Sequence, residues 1–221
     1  MENPWKALPD TPPYVLPADR LQVDAFNNRM VHRPQYQLHT ELLPEPFSGP
    51  LDAPVVVLYL NPGYGGDELT WHRDPEYIAK ARAAIGDDPG GHRHMGLRSD
   101  LPDTGGGWAW TKGAYKEHLA SHTRDELAAK ILTVEFFPYH SNKYRPLSAI
   151  LPSQRYGFHL VASAVERGAV VIAMRHRTEW MKAVPDLAGY DKLVTPRSNR
   201  QKALSRGNLN GFELVEHALA R

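Results

Sequence analysis

The chain has 221 residues, of which 42% are hydrophobic, and a formal net charge of +1, values that fit one α/β domain with a sizeable core. It contains no cysteine, which excludes disulfide bonds, thiolate catalysis and zinc bound by cysteine. The near-zero charge excludes neither nucleic acid nor small acidic substrates, so any basic surface must be local. We see neither an apolar leader nor an apolar run long enough to span a bilayer, and we expect a soluble cytoplasmic protein.

The N-terminal part is rich in proline and is predicted to form an extension, residues 1–42, that precedes an α/β domain of residues 43–221. One helix is expected over Asp19–Met30, with Asp19 as its N-cap. The proline-rich segment 43–54 is expected to be extended and to lead into the first strand.

The run Val55–Tyr59 is unbroken and mostly β-branched, which is typical of a central strand buried on both faces of a parallel sheet. Asn61, Pro62 and Gly63 follow it directly. Because ligand crevices of open α/β sheets lie at the carboxyl ends of the strands, the Asn61 amide is expected to face such a crevice. The alternative is a tight turn that needs these residues for its conformation alone.

Strands and helices alternate along the rest of the chain. We predict strands over 131–137, 169–174 and 190–194, and helices over 75–85, 108–120, 154–167 and 210–219, with a short helix around Trp180 and Ser153 as a cap. The alternation predicts a three-layer α/β/α sandwich around a central, mostly parallel sheet of about four strands. Glu135 is unusual within its apolar strand, because a buried carboxylate needs a partner.

Polar side chains follow each predicted strand, and we expect them to line one crevice along the same edge of the sheet. They are Asn61; His140, Ser141 and Asn142; Arg175; and a late basic loop with Arg197, Arg200, Lys202 and Arg206. The phosphate-binding P-loop, the dinucleotide-binding glycine fingerprint and the Gly-x-Ser-x-Gly nucleophile motif are all absent, which disfavours the common cofactor-binding and hydrolase functions of α/β sheets.

His92 and His94, together with Asp87 and Asp88, allow a second hypothesis, a metal-dependent hydrolase that also uses His140. Alternate histidines in a glycine-rich loop lack the i, i+4 helical spacing typical of metal sites, so a solvated loop is favoured. We therefore predict neither a metal nor another cofactor.

The motif Leu60-Asn61-Pro62-Gly63 after a hydrophobic strand resembles the first motif of the uracil-DNA glycosylase superfamily, most closely its mismatch-specific and single-strand-selective branches. The strand that runs into Phe137-Pro138, with Asn142 after it, resembles the middle motif, and the loop from Thr195 to Arg206 lies where that superfamily has its last motif. The resemblance covers residues 43–220 in order and spacing. The chain also resembles a bacterial subgroup of that superfamily, so its substrate need not be uracil.

This resemblance implies hydrolysis of the N-glycosidic bond of a uracil or another damaged base, which must first be flipped out of the DNA stack. It implies a monomer that binds single-stranded or lesion-bearing duplex DNA and does not bind membranes. Three groups of residues receive roles: catalytic Asn61, His140 and Arg197; base-binding Gly63, Tyr64, Phe137, Ser141 and Asn142; and DNA-binding Arg175, Arg200, Lys202, Leu204, Ser205 and Arg206.

Within these groups, Asn61 would position the attacking water, Tyr64 or Phe137 would stack on the base, and Leu204 would fill the gap left by the flipped base. Several branches have a histidine at the start of the last motif, where this chain has Thr195-Pro196-Arg197. His140 or Arg197 would have to stabilise the departing base instead. This departure keeps open an alternative, a weak or inactive nucleic-acid or nucleotide-binding module of the same fold.

Overall fold

The computed structural model describes residues 1–86, 94–101 and 105–220, and it confirms the predicted α/β class. Six strands form one sheet in the order β1-β3-β2-β4-β5-β6. Their bounds are β1 Phe47–Ser48, β2 Val55–Tyr59, β3 Ile131–Glu135, β4 Val170–Ala173, β5 Leu193–Pro196 and β6 Leu209–Asn210.

The strand β2 lies at the centre of the sheet and pairs in parallel with β3 on one side and β4 on the other. All five of its residues are buried, as expected for a β-branched run covered on both faces. β5 extends the parallel part beyond β4. β1 and β6 add short antiparallel edges to the four predicted strands.

Helices cover both faces of the sheet, which gives the predicted three layers. Their bounds are α1 Arg20–Arg29, α2 Glu68–Trp71, α3 Pro75–Ile85, α4 Gly105–Ala114, α5 Arg124–Ala128, α6 Gln154–Glu166, α7 Arg177–Ala183 and α8 Phe212–Leu219. One face packs against α1, α6 and α7, and the other against α5, α8 and the end of α4. No helix in the described ranges is long and apolar enough to cross a membrane.

The N-terminal segment packs into the same core as the sheet, with Trp5, Leu16 and Phe26 among its buried side chains. Asp19 is not the side-chain cap that the sequence predicted. Its carboxylate is fully buried and accepts hydrogen bonds from the Tyr139 hydroxyl at 2.8 Å and the Ser153 amide at 3.1 Å. A long-range partner thus replaces the local one, and Asp19 ties the N-terminal segment to the chain after β3.

The predicted cap at Ser153 is also wrong in its chemistry. Ser153 stands at the N-cap position of α6, but its side chain makes no capping hydrogen bond, and its hydroxyl is buried without a partner. By contrast, α3 begins as predicted, with Pro75 in its first turn and the Asp74 carboxylate accepting from the Glu76 amide at 2.9 Å.

Candidate active site

The topology of the sheet marks the place of a crevice. The chain runs from β2 to its neighbour β3 on one side and then crosses to β4 on the other side of β2. In open α/β sheets a ligand crevice lies where the strand order reverses, at the carboxyl ends of the strands. Here that point is the space beyond the ends of β2 and β4, bordered by the segment that follows β3.

Asn61 lies at this point, and its side chain is held in place. Its Nδ2 donates to the Ser141 hydroxyl at 3.0 Å and to the Pro62 carbonyl at 2.9 Å. The Ser141 amide donates in turn to the same carbonyl at 3.3 Å. Because both contacts use the amide nitrogen, the acceptor Oδ1 is left for a water molecule or a ligand.

Gly63 gives this turn an open side. It is exposed, and a methyl group built on its Cα would meet no atom within 4 Å. Asn142 fixes the following residue by donating from Nδ2 to the Tyr64 carbonyl at 3.0 Å. One face of the Tyr64 ring is stacked on His39, with centroids 3.6 Å apart. A planar ligand can therefore approach the backbone at Gly63 and the remaining side of Tyr64.

His140 supports the turn from below and is not free to meet a ligand. The ring is 2% exposed, with Nδ1 at 2.7 Å from the Gly63 carbonyl and Nε2 at 3.1 Å from the Leu43 carbonyl. A backbone carbonyl oxygen thus lies at each ring nitrogen, and a neutral ring has one N–H to donate to either of them. These contacts and the burial of the ring favour a positioning role for His140, and its predicted catalytic role stays a prediction.

A small polar cluster lies behind His140 and consists of Glu45, His72, Tyr77 and His140. Glu45 approaches His140 Nε2 at 3.6 Å, and the His72 and His140 rings meet edge to face at 5.5 Å. Burial, and then the neighbouring His140, lower the pKa of His72 to about 3. A cavity of about 20 Å³, enough for one water molecule, adjoins Glu45, His72 and Tyr77.

Glu45, His72 and His140 are close enough together to suggest a metal site, but the hydrogen bonds argue against one. The Leu43 amide donates to His72 Nδ1 at 2.8 Å, so in the neutral ring Nε2 carries the proton and offers no lone pair. His140 has a carbonyl oxygen at each nitrogen. The donor set therefore does not fit a metal, and the cluster is better described as a support for the Asn61 turn.

The histidine-rich loop, for which the sequence favoured a solvated loop over a metal site, lies partly outside the described residues, which do not include Asp87, Asp88 and His92. His94 is described and is buried, and its Nε2 lies 3.5 Å from the Tyr115 hydroxyl. It does not belong to the cluster around His140.

Glu135, at the end of β3, places a carboxyl group beside Tyr59 at the end of β2. The two residues are in register, so their side chains face the same side of the sheet. Glu135 Oε2 is buried and unpartnered. Burial, reinforced by Glu45, raises the pKa of Glu135 well above its usual value. The raised pKa favours the protonated carboxyl, which has both a donor and an acceptor.

Tyr59 is influenced by two other ionisable side chains besides Glu135, those of Tyr115 and Arg175. Burial, followed by the nearby Tyr115 and Glu135, raises the pKa of Tyr59, while Arg175 opposes the shift. Arg175 donates to the Asn199 carbonyl, which joins the end of β4 to the basic loop 197–206. Arg175 therefore links the end of β4 to this loop, and its predicted DNA-binding role stays a prediction.

Arg197 contacts residues near β6. Its guanidinium contacts the Asn210 side chain at 3.2 Å and the Gly207 carbonyl at 3.3 Å, both near β6. These contacts follow from the β5–β6 pairing, which the sequence did not reveal. In this arrangement Arg197 stabilises the hairpin and does not meet Asn61.

Two apolar side chains with predicted ligand roles belong to the core instead. Phe137 is 2% exposed and packs edge to face against Tyr139 and Tyr144, so it offers no face to a base. Leu204 is 1% exposed, and its amide donates to the Ala114 carbonyl at the end of α4. A wedge role for Leu204 would require its removal from the core, so the structure does not support it.

The other residues predicted to contact DNA differ in how exposed they are and in whether they already form ion pairs. Arg200 is exposed. Arg206 is also exposed, but it pairs with Glu213 and Glu117. Ser205 is partly buried, and its carbonyl accepts from the Leu209 amide at 2.8 Å.

No family model, curated protein or solved structure matches this chain.

Proposed function

We propose that the protein is a DNA-base glycosylase that hydrolyses the N-glycosidic bond of a damaged or modified base. The observation that carries the proposal is the Asn61 side chain, fixed by Ser141 at the reversal point of the sheet with its acceptor oxygen unused. The open backbone at Gly63 and the motif order of the uracil-DNA glycosylase superfamily support it.

In the proposed reaction Asn61 Oδ1 accepts a hydrogen bond from a water molecule and orients the oxygen of that water toward the sugar carbon C1′. The water oxygen bonds to C1′ as the C1′–N bond breaks, and the electron pair leaves with the base. The proton lost by the water finally neutralises the base anion. Positioning and electrostatic stabilisation carry this type of reaction, since the sugar is oxocarbenium-like in the transition state.

Glu135 is the group that we assign to the base itself. As a neutral carboxyl it donates to a carbonyl oxygen of the base and accepts from the adjacent N–H. A hydrogen bond to a base oxygen strengthens as negative charge develops there. This assignment gives the crevice a donor to the base.

The second candidate function is a binding module of the same fold with weak or no catalysis. The contacts of His140 with two backbone carbonyls and of Arg197 with residues near β6 favour it, because both side chains already have other partners. Both functions involve the same crevice and differ only in turnover.

The test is excision from single-stranded and duplex oligonucleotides that carry different modified bases. Asn61→Ala should reduce excision by about 100-fold, the usual effect of losing one positioned catalytic group. Asn61→Asp should retain activity or increase it, because a carboxylate activates water more strongly than an amide. Asn28→Ala, an exposed position on α1, is the matched control.

Binding to abasic-site DNA should change much less in Asn61→Ala than excision does, because Asn61 acts mainly in the transition state. If Asn61→Ala and the parent excise the base equally well, Asn61 does not take part in the reaction. A parent protein that binds DNA but excises no base would favour the binding module.

A further inference from the structure

An exposed tryptophan contacts Tyr59, the last residue of β2, which lies two positions before Asn61. Trp110 of α4 is 40% exposed, and its ring meets Tyr59 edge to face at 5.2 Å with an interplanar angle of 73°. Since Tyr59 ends β2, this contact places Trp110 near the carboxyl end of the central strand, where open α/β sheets bind their ligands. A lone exposed aromatic ring is common on protein surfaces, and what distinguishes Trp110 is the cation beside it.

A cation lies beside the same ring. Lys202 Nζ is 5.5 Å from the centroid of Trp110, within the range of a cation–π contact. Lys202 packs across Gly113, where an added methyl group would lie 2.8 Å from Lys202 Cε and 2.9 Å from Nζ. The small residue one turn after Trp110 therefore makes room for the lysine.

The loop that carries Lys202 is docked on α4. The Leu204 amide donates to the Ala114 carbonyl at 2.8 Å, and the Leu204 side chain is buried in the adjoining core. Arg175 contacts the other end of the loop at Asn199. Trp110, Lys202 and Arg175 thus belong to one surface with an aromatic ring and two cations, which we call the Trp110 platform.

We propose that the Trp110 platform is a binding subsite for single-stranded DNA, in which a nucleobase next to the reacting nucleotide stacks on Trp110 and its phosphates lie along Lys202 and Arg175. An aromatic ring with adjacent cations fits a nucleobase followed by a phosphate, and this combination is the general design of single-strand binding surfaces. The proposal rests on the DNA ligand of the proposed function and does not depend on its excision chemistry.

A stacking ring favours a single strand over a duplex. In a duplex the bases are stacked on one another and a side chain on a rigid helix reaches only their edges, whereas a single strand offers the face of each base. The stacking contribution should also be insensitive to sequence, because every base has such a face.

The experiment measures affinity of the full chain for three fluorescent probes of about 12 nucleotides: oligothymidylate, the same backbone with abasic spacers throughout, and an undamaged duplex. The parent should bind oligothymidylate more tightly than the spacer probe or the duplex. Trp110→Leu keeps an apolar side chain against Tyr59 but cannot stack. It should weaken binding of oligothymidylate by about 5-fold or more and leave the spacer probe unchanged.

Two further variants separate stacking from charge. Trp110→Tyr retains a stacking ring and should retain most of the affinity, while Lys202→Gln should weaken both single-stranded probes and lower the dependence of affinity on salt. Trp108→Leu is the matched control on the same helix, because the Arg124 guanidinium lies over its ring at 4.0 Å.

Equal binding of oligothymidylate and the spacer probe by the parent would overturn the proposal, as would Trp110→Leu binding as well as the parent. An equal loss in Trp108→Leu and Trp110→Leu would also overturn it, because the effect would then belong to α4 as a whole. These outcomes are independent of excision. A protein that stacks DNA on Trp110 without excising a base keeps this inference and loses only the glycosylase proposal.

Discussion

The open side of Gly63 allows a substitution that separates ligand binding from folding. Gly63 is exposed, an added methyl group would meet no protein atom within 4 Å, and its φ is outside the left-handed region. We therefore expect Gly63→Ala to change the free energy of unfolding by no more than about 0.5 kcal/mol, with a slight gain possible from the stiffer unfolded chain.

The effect on a ligand should be much larger if the base lies against this backbone. Forcing a methyl group into a filled contact costs about 1–3 kcal/mol, which corresponds to a loss of about 5-fold to 150-fold in affinity or in kcat/KM. The assay is excision kinetics together with binding of lesion-bearing oligonucleotides, and urea unfolding reports stability.

Gly65→Ala is the matched control in the same turn, since its added methyl group would meet only the Glu68 carboxylate at 3.7 Å, an ordinary contact. The reasoning is refuted if Gly63→Ala binds and excises like the parent, because no ligand would then approach Gly63. A loss of stability in Gly63→Ala would refute the structural premise instead.

Three further predictions test the charged groups. The proposed donor of Glu135 is lost when the carboxyl ionises, so excision should fall as the pH rises through the raised pKa of Glu135. Glu135→Gln should remove this pH dependence while retaining activity. If the pH profile of excision is unchanged in the variant, Glu135 does not have this role. Below pH 6.5 His72 is protonated in the unfolded chain but not in the folded chain, where its pKa is about 3. The free energy of unfolding, measured with urea, should therefore fall as the pH is lowered toward 3. The fall should be smaller in His72→Asn. Arg200→Ala should flatten the slope of log affinity against log salt for DNA more than Arg206→Ala, because Arg206 is already paired with Glu213; equal slopes would contradict this.

The parts of the fold that the sequence predicts are those with a long local pattern. Every residue of the run Val55–Tyr59 is hydrophobic, which indicates a buried strand. Asp74-Pro75 marks the start of α3 by local chemistry alone. β1 and β6 have two residues each, too few for any periodicity. Their presence could not be predicted, and the β5–β6 pairing decides where Arg197 points.

The candidate site divides in the same way. Asn61 and Ser141 are recognisable because they follow strands directly. His72 and Glu45 are not, since His72 ends a four-residue helix and Glu45 stands between prolines in an extended segment; only the folded chain brings them to His140. Glu135 gave the clearest local indication, a carboxylate in an apolar strand.

The buried contact between Asp19 and Tyr139 joins residues 120 positions apart, and this has a consequence for biosynthesis. At about 5–20 residues per second, a ribosome needs roughly 6–24 s to make the chain between them. During that interval Asp19 and the apolar side chains around it have no partner from the second half of the protein. The Asn61 turn is held by Ser141, two positions after Tyr139, so the candidate site can form only after this wait.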